Sequence, residues 1–227
     1  MKAVRGTMMW TIAALLAAVM LAPAGFAEDK EAIEIELPEP FFGGTPIDYW
    51  SPILEPEDFR DREPFLAPKG TEIVSKGKPV TSSFKDPLVG ELKQIVDGDK
   101  HYAKTSLVEL GSGVQWVQID LEKPHDIYAI LVWHFHEGKR VYFDVVVKAS
   151  NDPEFKEEVT TIYNNDHDNS AGLGVGKDKE YIENNKGRLM KIPEGVTARY
   201  VRLYTNGNTA HQMNHYVEVE VFGKPAA

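Results

Sequence analysis

The sequence predicts an all-β protein, a β-sandwich of the jelly-roll kind, and three observations predict it. Apolar and polar residues alternate with a period of two in several short segments after about residue 80. Turn-forming pairs such as Asp97-Gly98 and Glu137-Gly138 lie between segments of this kind. No long segment carries the 3.6-residue apolar period of an amphipathic helix. Several short strands at this spacing are typical of sandwiches and jelly rolls.

The predicted strands differ in how their apolar residues are placed. Residues 113–121 alternate cleanly, so that one face carries Val117, Ile119 and Leu121. Residues 127–135 are apolar on both faces, as expected of a strand inside the sandwich. Residues 141–150 carry a predicted inward row of Val141, Phe143, Val145, Val147 and Ala149. The remaining predicted strands are 159–163, 188–192, 199–205 and 216–222, with turns at Lys123-Pro124 and Glu194-Gly195.

The first 27 residues have the features of a targeting segment. Lys2 and Arg5 form a short basic region, and an apolar run follows from Met8 to Leu21. Small residues up to Ala27 then precede an acidic stretch, which is typical of a secretory signal peptide over 1–27. The apolar run is shorter than the roughly 18–20 residues of a membrane span. The sequence therefore predicts a secreted or periplasmic protein.

Residues 28–75 are predicted to form an extended arm, and residues 76–224 the sandwich domain. Seven prolines between residues 38 and 68 recur too often for a helix or a central strand. Residues 41–50 contain four aromatic side chains, which predicts that the arm packs on the domain. An alternative is that Tyr49 and Trp50 line a ligand platform.

Composition restricts the partners. The chain has 25 basic and 35 acidic residues, a formal net charge of −10, and loss of Lys2 and Arg5 would make it more negative. Nucleic acids and anionic membrane surfaces are recognised by clusters of Lys and Arg, so neither is a predicted partner. The chain has no cysteine, which excludes disulfides and cysteine chemistry.

Several segments, in this order along the chain, resemble the discoidin or coagulation factor type C family, a group of galactose-binding-like β-sandwich domains. They are GKPVTSSF (77–84), IVDGDK (95–100), QWVQIDL (115–121), KASNDPEF (148–155), RYVRLY (199–204) and YVEVEVFG (216–223). The resemblance covers roughly residues 76–224. It implies a galactose-binding-like jelly roll with a binding role.

The resemblance also implies a structural calcium ion. In sugar-binding members, calcium often lies between the Asp-Gly loop and a Glu on the last strand, which implicates Asp97, Asp99 and Glu218 here. Calcium takes six to eight oxygen ligands, and a tight turn with carboxylates can supply them. The family's Thr, usually close to the Asp, is displaced to Thr105 in this sequence. The alternative is that Asp97-Gly98 is simply a turn and Glu218 a solvated strand residue.

Histidines form a second candidate set. His134 and His136 are two residues apart on a predicted strand, so their side chains are expected on one face. With His167, His211 and His215 at other strand ends, three of these rings could hold zinc or another transition metal. The alternative is that they donate hydrogen bonds to sugar hydroxyls or to the backbone.

Two loops rich in Asn, Asp and His are the candidate ligand site, because loops at one end of a sandwich commonly form the pocket. The first, residues 163–183, offers Asn165, Asp166, His167 and Asp168. The second, residues 205–215, offers Asn206, Asn208 and His215. The first loop lacks the Gly-Lys-Ser/Thr of a P-loop and the twelfth-position Glu of an EF-hand. The alternative is that these Asx side chains fold the loops themselves.

These features predict a secreted, non-catalytic module that binds carbohydrate. One alternative is a protein-interaction or assembly module of the cell envelope. Another is a metal-dependent hydrolase or lyase, for which Asp166, His167 and Asp168 are the dense constellation. The sequence has no Ser nucleophile motif and no assembled triad, which favours a protein that is not an enzyme.

Overall fold

The computed structural model describes residues 29–41 and 47–226, so the predicted signal peptide lies outside the described residues. These residues form eleven β-strands and one short 3₁₀ helix, Leu92–Val96. The strands are β1 (Lys30–Ile33), β2 (Phe65–Pro68), β3 (Glu72–Ile73), β4 (Val80–Ser82), β5 (Val108–Ser112), β6 (Gln115–Trp133), β7 (Val146–Ser150), β8 (Thr160–Asn164), β9 (Arg188–Thr205), β10 (Met213–Tyr216) and β11 (Glu218–Pro225). A search of the described residues for a helix long and apolar enough to cross a membrane finds none.

Two long strands organise the sandwich. β6 and β9 pair antiparallel from Gln115 opposite Thr205 to Val132 opposite Arg188. The first half of β6 also pairs with β4, and its second half pairs with β11. The last part of β9 pairs with β7, which pairs in turn with β8, while β10 pairs with β5. The fold is an all-β jelly-roll sandwich, as the alternation predicts.

The long strands correct the predicted strand boundaries. The two predicted strands 113–121 and 127–135 form one strand, β6, apart from two residues at each outer end. The predicted strands 188–192 and 199–205 likewise form the single strand β9. The predicted turns are irregularities inside these strands: the pairing shifts between Asp120 and His125, where Glu122 has φ 68°. Extra residues in one strand bend it without ending it, so the expected turns at Lys123-Pro124 and Glu194-Gly195 are bulges.

The main core lies inside the sandwich and contains the predicted inward row of β6. Val117, Ile119 and Leu121 are all fully buried there. The predicted row in 141–150 is correct for Val141, Val145, Val147 and Ala149, which are buried, and wrong for Phe143, which is half-buried. Asp144 has φ 50°, so the strand begins only at Val146, and Tyr142 is buried in place of Phe143.

A second apolar cluster explains why residues 127–135 are apolar on both faces. Ile130 and Val132 face the main core, whereas Ala129, Leu131 and Trp133 face the arm. On that side the antiparallel pair of β1 and β2 covers the sheet, and the rings of Phe65 and Phe222 meet edge to face with centroids 5.2 Å apart. Both faces of this part of β6 are therefore removed from water.

The arm continues to the end of the sandwich where the Asx-rich loops lie. The ring of Tyr49 contacts Phe143 at 5.8 Å between centroids, and Leu54 forms a parallel bridge with Glu180. Trp50, in contrast, is 81% exposed. The arm thus places Tyr49, though not Trp50, against the sandwich.

Candidate functional site

The two Asx-rich loops meet at Asp144. Its Oδ2 accepts hydrogen bonds from Ser170 Oγ at 2.9 Å and from Asn206 Nδ2 at 2.8 Å. Ser170 belongs to the first loop and Asn206 to the second. The left-handed backbone at Asp144 turns its carboxylate toward both loops instead of continuing the strand. The structure therefore brings the two predicted loops to one end of the sandwich.

A cavity of about 390 Å³ lies at this junction. Its lining residues are Ile53, Phe143, Asp144, Asn165, His167, Asp168, Ser170, Glu180 and Asn206. A hollow of about 350 Å³ shares Phe143 and Asn206 with it and adds Ser112, Gly113, Gly207, Asn208 and Gln212. The predicted ligand residues Asn165, His167, Asp168 and Asn206 thus lie together around the larger cavity, and Asn208 lies in the adjoining hollow.

Asn165 is the most informative residue of the cavity lining. It is 3% exposed, and its Oδ1 accepts a hydrogen bond from Val145 N at 2.7 Å. That bond fixes the orientation of the amide, yet Nδ2 is buried without an acceptor in the described part of the chain. A buried donor without a partner costs roughly 1–3 kcal/mol, so a bound hydroxyl that accepts from Nδ2 would remove this cost.

The arm forms part of the cavity wall. Ile53 lines the cavity directly, and the Tyr49 hydroxyl donates to the Glu180 carboxylate, with both oxygens at 3.0 Å. Burial, together with this carboxylate, raises the pKa of Tyr49 to about 12, so its hydroxyl remains a donor at neutral pH. Tyr49 therefore holds Glu180 in place at the cavity.

Three carboxylates cluster in this region. One oxygen each of Asp144, Asp166 and Asp168 lies within 4.8 Å of the others. Burial raises the pKa of Asp166, whereas hydrogen bonds from Ser170 lower the pKa of Asp168. Asp168 is exposed and ionises readily, so the cavity presents negative charge to solvent.

Two predicted ligand residues are used to fold the loops. Asp166 is buried, and its two oxygens accept from the backbone N–H groups of Ser170 and Ala171 at 2.9 and 3.0 Å. Asn208 is also buried; its Oδ1 accepts from Ala210 N and its Nδ2 donates to Met213 O. For these two side chains the structure favours the alternative, in which Asx residues fold the loop themselves.

His134 and His136 are interior residues, and the structure does not support them as ligand contacts. β6 ends at Trp133, so the alternation expected for both rings does not extend to them. His134 is fully buried, pairs through Nδ1 with Glu183 Oε2 at 3.0 Å and stacks on Tyr142. His136 is 2% exposed, lies 2.9 Å from Lys100 O through Nε2, and has its pKa lowered by burial.

His215 is likewise held inside the protein. It is 1% exposed, with Nε2 2.9 Å from Glu109 Oε2 and Nδ1 2.8 Å from the Tyr142 hydroxyl. Burial lowers the pKa of His215 to about 4, although the Glu109 carboxylate acts in the opposite direction. The imidazole is therefore neutral at physiological pH. Its contacts are with protein groups, so its predicted role as a sugar ligand is not supported either.

The residues of the implied calcium site surround one turn and fit a cation in part. Glu218 is buried, its Oε2 accepts from Gly98 N at 2.9 Å, and burial next to Glu220 and Asp97 raises its pKa to about 9. A cation would relieve this unfavourable burial of a carboxylate. Asp99 fits less well, because both of its oxygens accept, from His101 N and Ser106 Oγ, whereas Asp97 accepts from Asp99 N through Oδ1. Glu218 and Asp97 are therefore the side chains that would hold calcium, with backbone carbonyls as further ligands.

Several residues of the cavity lining were not predicted from the sequence, and Phe143 and Asp144 are the clearest cases. Phe143 was expected in the core and Asp144 in a strand, yet both line the cavity. The available signal was Asp144 itself, a charged residue in an otherwise apolar run and one of the residue types that most readily adopt left-handed backbone.

The fold and the loop-end cavity define a galactose-binding-like β-sandwich. The model of the F5/8 type C domain family matches residues 79–219, more than half of the chain, and the protein belongs to this family. The match begins after the arm. Comparison with curated proteins gave no match.

Solved structures with a similar fold include carbohydrate-related modules. The CBM32 of AlyQ, in complex with 4,5-unsaturated mannuronic acid, is 20% identical over 66% of this chain and 95% of that chain, with a TM-score of 0.46. A fucose-binding module of Streptococcus pneumoniae, SpX-3, is 13% identical over 66% and 96%, with a TM-score of 0.47. A family 89 glycoside hydrolase from Clostridium perfringens is 21% identical over 68% of this chain but 15% of that chain, with a TM-score of 0.49.

Proposed function

We propose that the protein is an exported, non-catalytic module that binds a glycan in the cavity between its two Asx-rich loops. One observation carries the proposal: the amide Nδ2 of Asn165 is buried, oriented and without an acceptor among the described residues, in a cavity that also presents carboxylates and an aromatic ring. Membership of the F5/8 type C family is consistent with a binding role, and the cavity is where we place it.

The lining has the groups that recognise a sugar. A hydroxyl is both donor and acceptor, so one sugar hydroxyl can accept from Asn165 Nδ2 and donate to Asp144 or Asp168. Hydrogen bonds to charged partners contribute about 1.5–3 kcal/mol each. The half-buried ring of Phe143 supplies an apolar surface for the C–H face of a pyranose.

The charge of the lining indicates the class of glycan. Asp144, Asp168 and Glu180 contribute carboxylates, and none of the described lining residues is Lys or Arg. Uronates and sulfated sugars would be repelled, whereas uncharged sugars and amino sugars would be accepted. We therefore expect neutral or amino-sugar glycans as ligands and not acidic polysaccharides.

The structural ion is a separate part of the proposal. Calcium at Glu218 and Asp97 would stabilise the turn that follows the 3₁₀ helix, without taking part in ligand binding. Its chemical contribution would be to compensate the buried carboxylate of Glu218.

The test is calorimetric binding of uncharged galacto-oligosaccharides, chitosan oligosaccharides and oligogalacturonate to the full chain and its variants. Asn165→Asp keeps the acceptor for Val145 N but replaces the free donor by an oxygen, so we expect at least a tenfold loss of affinity. Phe143→Ala should also weaken binding. It provides the test if Asn165→Asp lowers the melting temperature so far that the variant is unfolded under the conditions of the titration. Asn151→Asp, at an exposed position, makes the same chemical change and should bind as the unmodified protein does.

Two outcomes would overturn the proposal. One is that the unmodified protein binds no glycan in a broad panel of neutral, amino and acidic glycans. This result would favour a protein partner in the cell envelope, which pull-down from envelope extracts would test. The other is binding that Asn165→Asp and Phe143→Ala leave unchanged, which would place the glycan elsewhere on the molecule.

A further inference from the structure

We propose that Glu109, His211 and His215 form a binding site for a divalent transition-metal ion, with zinc as the best match. One ligand atom from each of the three side chains lies within 4.8 Å of the other two. The site is distinct from the glycan cavity and from the implied calcium site.

The β5–β10 pairing brings two of the ligands together. Glu109 and His215 are directly opposite each other in this antiparallel pair, and His215 Nε2 lies 2.9 Å from Glu109 Oε2. Directly paired residues of neighbouring strands have adjacent side chains. In a tetrahedral zinc site with bonds of about 2.0–2.2 Å, neighbouring ligand atoms are about 3.3–3.5 Å apart. A zinc ion would therefore require these two groups to separate by only about 0.5 Å.

The contacts of His215 fix one ring nitrogen and direct the other at Glu109. Its Nδ1 lies 2.8 Å from the hydroxyl of Tyr142, which is 1% exposed and packed against the interior ring of His134. Metal-binding histidines usually donate their other N–H to a fixed acceptor, which sets the tautomer and the ring orientation. Tyr142 can play this part for His215, with Nε2 directed at the ion.

His211 supplies the third ligand from the loop before β10. Its ring centroid is 4.7 Å from that of His215, at an interplanar angle of 87°. Asn208 anchors this loop by accepting from Ala210 N and donating to Met213 O. His211 Nδ1 accepts a hydrogen bond from Met213 N at 3.1 Å, and a metal ion bound through this nitrogen would replace that bond.

The ligand types select the metal. Two imidazoles and one carboxylate are typical of zinc and related transition metals, whereas calcium and magnesium prefer sets of oxygen ligands. His211 is exposed, which gives an ion a path from solvent and leaves a fourth position for water. Bound zinc would tie the 205–215 loop to β5. Asn208 and Gln212 of that loop line the hollow beside the glycan cavity.

The experiment is calorimetric titration of the full chain, produced without a histidine tag, with zinc chloride in the absence of sugar. We expect one zinc ion per chain and a rise in melting temperature with zinc that His211→Ala lacks. Calcium bound at Glu218 should raise the melting temperature of the unmodified chain and of His211→Ala alike. His211→Ala should weaken zinc binding at least tenfold, and Glu109→Gln should also weaken it. His101→Ala removes another exposed histidine and should leave the affinity unchanged.

Cobalt absorption supplies a second readout that does not depend on stability. A cobalt-loaded chain should show the visible bands of four-coordinate cobalt, and His211→Ala should lose them. Absence of zinc binding by the unmodified chain would overturn the proposal, as would an equal affinity of His211→Ala and His101→Ala. Neither result would bear on glycan binding, which is measured without metal.

Discussion

The buried glutamates of this protein differ in whether a cationic or ring nitrogen partner accompanies them. Glu220 is paired with Lys100 at 2.7 Å, and Glu183 with the ring of His134 at 3.0 Å. Glu218 is buried on the same strand as Glu220 and accepts from Gly98 N. Burial without a cationic partner is costly for a carboxylate, and the raised pKa of Glu218 expresses this cost. A cation bound at Glu218 would remove this cost.

Replacement of Glu218 by Gln tests the calcium hypothesis. Without a cation, the raised pKa of Glu218 keeps its side chain protonated at neutral pH, and Gln removes the cost of this protonation while its amide oxygen can still accept from Gly98 N. In metal-free buffer we expect the melting temperature of Glu218→Gln to exceed that of the unmodified protein by about 2–4 °C, equivalent to about 1 kcal/mol. Calcium should raise the melting temperature of the unmodified protein and leave that of Glu218→Gln unchanged. Scanning calorimetry with calcium and with chelator measures both effects.

Glu194→Gln is the matched control, since Glu194 is exposed on β9 and its replacement makes the same change of side chain away from the buried turn. It should respond to calcium as the unmodified protein does. If calcium and chelator leave the melting temperature of the unmodified protein unchanged, calcium does not bind at Glu218.

At the scale of elements, the bulges of β6 and β9 let each strand continue past an irregularity. The first half of β6 can therefore pair with β4 and its second half with β11. The pairing of β6 with β9 shifts twice, between Asp120 and His125 and between Ile127 and Ala129. Gly195 lies in the second irregularity with φ 71°, and a Cβ there would approach Tyr128 Cε1 to 2.9 Å. A glycine is needed at this position for two reasons, backbone conformation and space.

The two reasons can be separated by comparing Gly195→Ala with Gly138→Ala. Gly138 has φ 77°, but a Cβ there would meet nothing within 4 Å, so its replacement costs backbone strain alone, about 1 kcal/mol. Gly195→Ala adds the contact with Tyr128, and we expect a loss of about 2–3 kcal/mol in the free energy of unfolding. Urea denaturation measures both. Equal losses in the two variants would show that Tyr128 moves aside without cost.

The alternation of apolar residues was sufficient to predict which side chains of β6 face the core, because burial of one face imposes a period of two. It could not predict that β6 continues through Lys123-Pro124, since a turn and a bulge use the same residue types. The site shows the same limit. The composition of the two Asx-rich loops identified them as candidates. It could not predict that the amide of Asn208 folds its loop while Asn165 Nδ2 has no acceptor in the described part of the chain, because this depends on three-dimensional contacts.

At the scale of the whole molecule, the arm is part of the packed structure. The antiparallel pair of β1 and β2 buries Phe65 and Ala67 against the outer face of the sheet, and β3 pairs with β11. Further along, Tyr49 and Ile53 reach the loop-end cavity. The prolines predicted an extended segment, but its path depends on the apolar outer face of β6 and β11, which are distant in sequence from the arm.

Replacement of Phe65 by Ala measures how strongly the arm is held. Phe65 is 2% exposed and meets Phe222 edge to face, so its truncation removes buried apolar surface and an aromatic pair. We expect a loss of about 3 kcal/mol in the free energy of unfolding, with faster proteolysis within residues 29–68.

Leu66→Ala is the control, because Leu66 is the next residue of β2 but is 68% exposed. Its effect should stay within about 0.5 kcal/mol. If Phe65→Ala is no more destabilising than Leu66→Ala, the arm is held mainly by its later contacts. These are the contacts of Tyr49 with Phe143 and Glu180 and the bridge between Leu54 and Glu180.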